Sequence, residues 1–368
     1  MTGRVDSELR ATPSARIDEG MVGEHRTVRV IRDNGLVVAD VSLRGAALLS
    51  WRVRTGGGDL DLIDGYRTSS EIDEQAGCRS AIMAPFTNRI EGGQFTFEGQ
   101  RATFPVGESP FDDGVVLHGL ARFLDFSVAE VVHDKDATII VFRNSEIRPN
   151  KFPGYPFAID LAVRYTFGVY ELAIDVIGTN VGASTAPFSA GWHPYFRIDD
   201  TPLELLELEI PAATRVATDE NLLPLPGAAA YVPLGGASDV FDFTHPRYIG
   251  DQMIDSCYVD VRPSPDGRVH TTLTDPARGL GLDVWQERGG VHAYTADALE
   301  RDPRRSLAIE PVEVITNAFN RSDQSAAIRL EPGETRTFRF GVRVTTDAND
   351  DPFHLKTPLP AHTPEELP

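Results

Sequence analysis

Two segments of the chain place a titratable side chain directly before a proline. His193 lies in the aromatic segment Gly-Trp-His-Pro-Tyr-Phe, and Glu310 lies in the apolar segment Leu-Ala-Ile-Glu-Pro. The residue before a proline is restricted to extended backbone, and the proline has no N–H for a sheet ladder. We therefore expect both side chains at rigid strand ends, where an imidazole and a carboxylate suit a general acid and a general base. Taken alone, Glu310 is equally well explained as the end of a strand, paired with an arginine.

Three further residues have side chains suited to binding a polar ligand. His118 lies in the apolar run Val-Val-Leu-His-Gly-Leu, where its ring needs a hydrogen-bond partner. Arg89 follows an apolar segment, and a guanidinium there can bind vicinal hydroxyls or orient a carboxylate. Asp255 follows Met-Ile. Each residue also has a simpler interpretation. His118, like His193, could be a core histidine bonded to a backbone carbonyl. Arg89 could be a surface charge and Asp255 a turn residue.

Alternation of apolar and polar residues with a period of two is the main structural signal. It runs through 159–167, continues after a Gly-Val turn through 172–176, and returns at 338–344. Shorter stretches of the same pattern occur at 95–97, 126–132 and 139–142. This period indicates strands with one buried face, and the first two segments predict an antiparallel hairpin.

Helical periodicity is nearly absent, and 32 glycines and 26 prolines separate the strand-like segments. The pattern predicts an all-β fold, a large antiparallel β-sandwich or barrel with few helices. We expect a flexible arm over residues 1–22, a single β domain over 23–346, and a disordered tail rich in proline and acidic residues over 347–368.

Composition narrows the classes of partner. The chain has 368 residues and a formal net charge of −20. It therefore lacks the positive field that would attract nucleic acids or anionic membranes. Its two cysteines are too few for a disulfide framework, and the opening residues do not form a secretory signal. We therefore expect a cytoplasmic protein, a monomer or weak dimer, that binds neither nucleic acid nor membranes.

The order and spacing of several segments together resemble the aldose 1-epimerase family, the galactose mutarotase-like proteins. The matching segments lie at 88–97, 118–119, 191–196, 255–258, 293–295, 309–311, 317–320 and 330–334. The resemblance implies a large twisted β-sandwich with a sugar cleft across one face. It implies an isomerase that interconverts the α and β anomers of a free aldohexose and requires no metal or organic cofactor.

The resemblance also implies roles for individual residues. Glu310 matches the family's general base and His193 its general acid. His118 matches a second histidine near the ring oxygen of the sugar. The remaining expected substrate-binding residues are Asn88, Arg89, Asp255 and His292. His292 stands where the family often has glutamine, so the specificity for one hydroxyl is open.

The chemistry fits these residue types. Ring opening removes a proton from the C1 hydroxyl and delivers one to the ring oxygen, and closure on the other face reverses both transfers. A carboxylate with a pKa near ~4.3 and an imidazole near ~6.5 suit these steps, and each contributes about 10²–10⁴ in rate. We expect carboxylates near His193 to favour its charged form.

Three alternatives remain open at this point. One is a 1-epimerase of a hexose 6-phosphate or another modified sugar, with Arg79, Arg122 and Arg301 as candidate cations. Another is a non-catalytic sugar-binding β-sandwich. The third is metal-dependent chemistry, because His118, His193, Asp255 and Glu310 are all metal-ligand types.

Overall fold

The computed structural model describes residues 15–55, 58–108, 111, 115–235 and 239–346. The expected tail at 347–368 and the first fourteen residues of the expected arm lie outside the described residues.

Regular structure in the described residues is mostly β-strand. The first thirteen strands are β1 Ala15–Val22, β2 His25–Arg32, β3 Val37–Ser42, β4 Leu48–Thr55, β5 Gly58–Asp61, β6 Ala81–Met83, β7 Gln94–Phe97, β8 Gln100–Thr103, β9 Ser127–His133, β10 Thr138–Ile147, β11 Ile159–Phe167, β12 Glu171–Asn180 and β13 Ala186–Pro187. The others are β14 Gly191–His193, β15 Tyr195–Phe196, β16 Glu207–Glu209, β17 Ala212–Val216, β18 Tyr231–Pro233, β19 Arg247–Tyr248, β20 Asp255–Val261, β21 Val269–Asp275, β22 Leu280–Gln286, β23 Gly290–Tyr294, β24 Leu307–Val312, β25 Arg329–Leu330 and β26 Thr335–Thr346.

Helices are short in the described residues. The α-helix α1 spans Ser69–Glu74, and the side chain of Thr68 caps it by accepting a hydrogen bond from the Glu71 N–H. Single 3₁₀ turns lie at Asp33–Gly35, Ala76–Cys78, Glu91–Gly93, Ala121–Phe123, Leu203–Leu205, Gly227–Ala230, Ala318–Asn320 and Ser322–Gln324. The expected scarcity of helix is confirmed, and none of these described helices has the length and apolar character needed to cross a bilayer.

Three larger antiparallel sheets carry most of the strands. The first has the order β1-β2-β3-β4-β5, and the second has the order β19-β16-β21-β22-β26-β12-β11-β10-β9. The third has the order β18-β17-β20-β23-β24-β14-β6, with β15 paired to β24. Two small pairs, β7-β8 and β13-β25, complete the set.

The alternating segments form the predicted strands. Ile159–Phe167 is β11, and it pairs antiparallel with β12 from Phe167 opposite Leu172, so the predicted hairpin is confirmed. The inward residues of this sheet join a large apolar cluster that draws members from Val28 to Val344. Burying a side chain of this kind contributes about 1.5–3 kcal/mol, so this cluster holds the sheets against one another.

The chain enters regular structure earlier than the sequence suggests. Ala15–Val22 is strand β1 and pairs along its whole length with β2, although we expected a flexible arm to extend through residue 22. That expectation was wrong for these eight residues. Their side chains are half-buried or exposed, so the strand is held by backbone pairing and lacks the apolar alternation that the sequence search relies on.

Candidate active site

One row across the third sheet brings three titratable side chains together. His292 of β23 lies directly opposite Glu310 of β24. On the other side of β24, Gly191 pairs with Val312 and Tyr195 pairs with Ala308, so the same register places His193 opposite Glu310. Directly opposite residues in antiparallel strands project from the same face. The three side chains therefore stand side by side on one face of the sheet.

The prolines act differently at the two positions. His193 is the last residue of β14, as its proline predicts. Glu310, however, lies inside β24, and Pro311 continues the pairing with Val291 of β23. The expectation that Glu310 ends a strand was wrong. Because Pro194 and Pro311 have no N–H, the ladder between β24 and β14 is interrupted beside the acid–base pair while the other edge of β24 stays paired.

Asp255 joins this row from the next strand. Cys257 of β20 pairs with His292, and Asp255 lies two residues earlier on the same strand, so both side chains share one face. The His292 Nε2 atom lies 2.8 Å from Asp255 Oδ1. Asp255 is therefore the first residue of a strand, where the sequence taken alone suggested a turn.

His118 reaches the site from a loop beside β6. Its backbone is left-handed with a φ of 56°, and its N–H donates to the Asn88 carbonyl oxygen at 2.9 Å. Gly119 follows with a φ of 74°, and a Cβ there would lie 2.3 Å from the carbonyl oxygen of Ala84. Only glycine fits this approach, so Gly119 is what lets the loop hold His118 against the sheet.

The two histidines and the glutamate are in mutual contact. His193 Nε2 lies 3.3 Å from Glu310 Oε1, and the rings of His118 and His193 meet edge to face at a centroid distance of 4.9 Å. Glu310 is 1% exposed, His118 4% and His193 5%. The expected pairing of His193 with Glu310, and the presence of His118 beside them, are therefore observed.

Three polar atoms at this contact have no hydrogen-bond partner within the described part of the chain. They are Nδ1 of His118, Nδ1 of His193 and Oε2 of Glu310. A buried polar atom without a partner costs about 1–3 kcal/mol. A ligand with several hydroxyl groups would satisfy such atoms, which makes this cluster suited to binding a polyol.

Burial moves the pKa values of the acid–base pair in opposite directions. The pKa of Glu310 rises to about 7, because burial disfavours its charged form more than the charge of His292 favours it. The pKa of His193 falls to about 3, because of burial and then the positive charge of His292. We expected neighbouring carboxylates to favour a charged His193, and the pKa moves the other way because desolvation is the larger effect.

The positive charge lies on His292 instead. Burial alone would lower its pKa, but Glu310 and the hydrogen bond to Asp255 outweigh burial and raise the pKa well above its ordinary value. The pKa of Asp255 is lowered despite burial, first by that hydrogen bond and then by the charges of His292 and Arg89. His292 and Asp255 therefore form an ion pair at neutral pH.

Asn88 and Arg89 lie on the His118 side of the site. Arg89 pairs with Leu117 in an isolated antiparallel bridge, and its Nη1 donates to the Asn88 side-chain oxygen at 3.1 Å. Asn88 is buried, whereas Arg89 is half-buried and Asp255 is exposed. Arg89 and Asp255 are thus the members of the site in contact with solvent, while the histidines and Glu310 lie beneath.

Two of the arginines considered for a phosphate are already paired. Arg79 Nη1 lies 2.5 Å from Asp64 Oδ2, and Arg301 Nη1 lies 2.7 Å from Asp64 Oδ1. Arg301 also bonds Glu71. Their charges are neutralised within the protein, so of the three candidates only Arg122 is not held by a carboxylate among the described residues.

The central cluster could also hold a metal ion. One ligand atom each from His118, His193 and Glu310 lie within 4.8 Å of one another. Two neutral imidazoles and a carboxylate are ligands that zinc and other transition metals accept. Asp255, the fourth residue of the metal alternative, does not belong to this group.

Sequence reasoning missed two neighbours of the site. The side chain of Cys257 forms a hydrogen bond with His292, and this bond helps to raise the pKa of His292. The ring of Tyr195 lies 4.9 Å from the His193 ring, and its hydroxyl donates to the Gly77 carbonyl oxygen at 2.9 Å. Both lie in the segments that carry the resemblance, but only the sheet register shows what they contact.

Comparisons with known proteins agree with this fold. A family model described as aldose 1-epimerase matches residues 28–343. The uncharacterised protein YihR of Escherichia coli is 25% identical over 263 residues, which is 71% of this chain and 77% of that protein. The aldose 1-epimerase of the same organism is 24% identical over 299 residues, covering 78% and 77%.

A solved structure shares the architecture. The galactose 1-epimerase of Lactobacillus acidophilus superposes with a TM-score of 0.72 at 15% identity, covering 90% of this chain and 99% of that one. The predicted galactose mutarotase-like β-sandwich is therefore confirmed as the fold.

Proposed function

The chain belongs to the aldose 1-epimerase family, and on that premise we propose that it interconverts the α and β anomers of an aldose by acid–base ring opening and closure. The observation that supports this most is the contact of His193 with Glu310 at 3.3 Å. Each of the two residues keeps one nitrogen or oxygen atom that has no hydrogen-bond partner among the described residues. The relative named aldose 1-epimerase supports the reaction class.

Glu310 takes the proton of the C1 hydroxyl in this proposal, and His193 gives a proton to the ring oxygen. The pKa of Glu310 is about 7 and that of His193 is about 3, so the two groups take up their protons in separate steps. Between those values the pair holds one proton. A sugar that donates to Glu310 and accepts from His193 selects the form with a charged carboxylate and a charged imidazole.

The surrounding residues orient the ring in the same proposal. His118 provides a neutral imidazole beside the ring oxygen, because burial and the charge of His193 lower its pKa. Arg89, Asn88, Asp255 and His292 bind hydroxyl groups. After the ring opens, rotation about the C1–C2 bond and closure on the opposite face return both protons, so one pair serves both directions.

The direct test is the equilibration of a freshly dissolved pure anomer, followed by polarimetry or NMR. We expect the protein to accelerate it beyond the rate in buffer, with the acceleration unchanged by a chelator. Sugar binding with no acceleration would favour the non-catalytic β-sandwich, and loss of activity on chelation would favour a metal at the His118–His193–Glu310 group.

A further inference from the structure

Cys257 lies next to His292 on the face of the sheet that carries the site. The two residues are directly opposite in the antiparallel pair of β20 and β23, so their side chains project from the same face. Gly290 leaves room for the thiol, because a Cβ there would lie 3.6 Å from Cys257 Sγ and 2.7 Å from the Tyr258 carbonyl oxygen. The sheet therefore holds the sulfur close to the His292 ring.

The other surroundings of Cys257 are apolar. Its side chain is 5% exposed and belongs to a small cluster that includes Met83, Val312 and Ile315. These neighbours have no side chain that can bond an imidazole N–H, so at this edge of the site the sulfur supplies the acceptor. His292 is itself buried, and a buried ring nitrogen without a partner would be costly.

β20 engages the His292 ring at two points. Nε2 lies 2.8 Å from Asp255 Oδ1, and the ring also forms a hydrogen bond with the Cys257 side chain. Burial lowers the pKa of His292, but Glu310 and these two partners outweigh burial and raise it well above its ordinary value. A protonated imidazole has two N–H donors and no acceptor, so the carboxylate and the sulfur both accept. Residues two apart on one strand thus fix the plane of the ring.

The titratable groups around His292 come from several elements. Glu310 of β24 and Asp255 of β20 favour the charged ring. The charge of the ring in turn lowers the pKa values of His193 on β14 and of His118 in its loop. The Asp255 side chain is 36% exposed, so its carboxylate remains accessible to a ligand while it holds the ring.

Building on the proposed function, we propose that Cys257 is a positioning residue for sugar binding: its sulfur fixes the His292 ring, and the ring aims the Asp255 carboxylate at a sugar hydroxyl. This refines the part that the proposed function gives to His292, because its Nε2 is used by Asp255 and its other nitrogen by the sulfur. The hydroxyl group at this position donates to Asp255, since an ionised carboxylate only accepts.

The first experiment observes the His292 ring by NMR in protein with ¹⁵N-labelled histidine, with His292→Gln to assign its signals. We expect both ring nitrogens to be protonated at about pH 7 in the wild type and in Cys257→Ser, whose hydroxyl oxygen also accepts. Cys257→Ala removes one acceptor from the charged ring. It should lower the titration midpoint of His292 by about half a pH unit to one pH unit.

Cys78→Ala is the matched control, because Cys78 is also buried but lies in the 3₁₀ turn after α1. It should leave the His292 midpoint unchanged. An equal midpoint in wild type and Cys257→Ala would overturn the proposal. If Cys257→Ala does not fold, wild type and Cys257→Ser still decide, because a neutral His292 ring at about pH 7 in either protein would also overturn it.

The second experiment tests whether Cys257 acts through Asp255. At about pH 6, Cys257→Ala should raise KM for the best-converted sugar about three- to tenfold and change kcat less than about twofold, because the hydroxyl contact exists in ground state and transition state alike. Cys257→Ser should restore KM. In an Asp255→Asn background, Cys257→Ala should have no further effect, whereas an equal effect in both backgrounds would show a purely structural role and overturn the proposal.

Failure of the proposed function has a different signature. If the wild type accelerates anomer exchange of no sugar, the epimerase proposal fails, but the NMR titration of His292 needs no turnover. Sugar binding measured by calorimetry then replaces KM in the comparison of the Cys257 variants. A Kd raised by Cys257→Ala and restored by Cys257→Ser would support the positioning role, and equal Kd values would contradict it.

Discussion

His292 and Glu310 face each other directly across β23 and β24, with a hydrogen-bonded Asp255 on the far side of the histidine. Burial is the main effect that raises the pKa of Glu310 to about 7, and the positive charge of His292 opposes this rise. The adjacent strand therefore lowers the proton affinity that burial gives the proposed base. This relationship leads to the first two predictions.

The wild-type pH profile should decline on the alkaline side. The proposed mechanism needs one proton on the His193–Glu310 pair, and the pair loses that proton as the pH rises through about 7. We expect kcat/KM to fall about tenfold per pH unit above that value, in rates corrected for spontaneous exchange in buffer. A profile that rises through pH 7 to a plateau would contradict the shared proton.

Replacing His292 should move that alkaline limb. The charge of His292 lowers the pKa of Glu310, so His292→Gln should raise this pKa further and shift the alkaline limb of kcat/KM to higher pH. The same variant should raise the pKa of His193, which His292 also lowers. The measurement is the pH dependence of anomer exchange from about pH 4 to 9, compared with the wild type.

His270→Gln is the control for this variant. His270 of β21 also has a carboxylate partner, Asp283, at 2.8 Å, and its pKa is raised mainly by that bond. It does not belong to the site, so its removal should leave the profile in place. An alkaline limb that moves downward in His292→Gln, or moves equally in both variants, would refute the electrostatic role of His292.

Glu310→Gln should change stability in a pH-dependent way. The folded state raises the pKa of Glu310 from 4.5 to about 7, so this carboxyl favours the fold at low pH and opposes it as the pH rises through about 7. The amide stays neutral throughout. Relative to wild type, the variant's free energy of unfolding in urea should therefore improve from pH 5 to pH 8, and a difference that is constant with pH would contradict the buried charge.

Gly119→Ala should destabilise the fold and the site together. The Cβ would lie 2.3 Å from the Ala84 carbonyl oxygen at a φ of 74°, and we expect a loss of about 2–4 kcal/mol in urea unfolding. Gly99→Ala is the matched control, with a φ of 78° and nothing within 4 Å of its Cβ. It should cost only about 1–2 kcal/mol, and equal losses would show that the close approach to Ala84 does not matter.

Much of the fold was predictable from local pattern. The alternation of apolar and polar residues located β11 at Ile159–Phe167 and the hairpin to β12. A strand with one buried face shows this alternation because successive side chains point to opposite faces. The strand β1 was missed because Ala15–Val22 shows no such alternation. The strand β1 is held by backbone hydrogen bonds to β2, and such pairing does not require any particular residue types.

Most residues of the candidate site could be proposed from the sequence, but Cys257, Tyr195 and the direction of the pKa shifts could not. The motifs around His193 and Glu310 indicated an acid–base pair, and the structure brings the two within 3.3 Å. Which strands lie next to each other depends on pairings between distant residues, such as Glu310 with His292, that no local pattern encodes. The reversed pKa of His193 follows from burial, which is a property of the assembled sheets.

The most direct measurement is the equilibration of pure α-anomers of neutral and anionic aldoses by wild type and Glu310→Gln, with Glu220→Gln as an exposed control. We predict that wild type and Glu220→Gln accelerate at least one sugar, and that Glu310→Gln loses at least about 10²-fold of that rate because the proposed base is gone. Retention of the full rate by Glu310→Gln, or no acceleration by wild type with any of the sugars, would contradict the assignment of His193 and Glu310 as an epimerase pair.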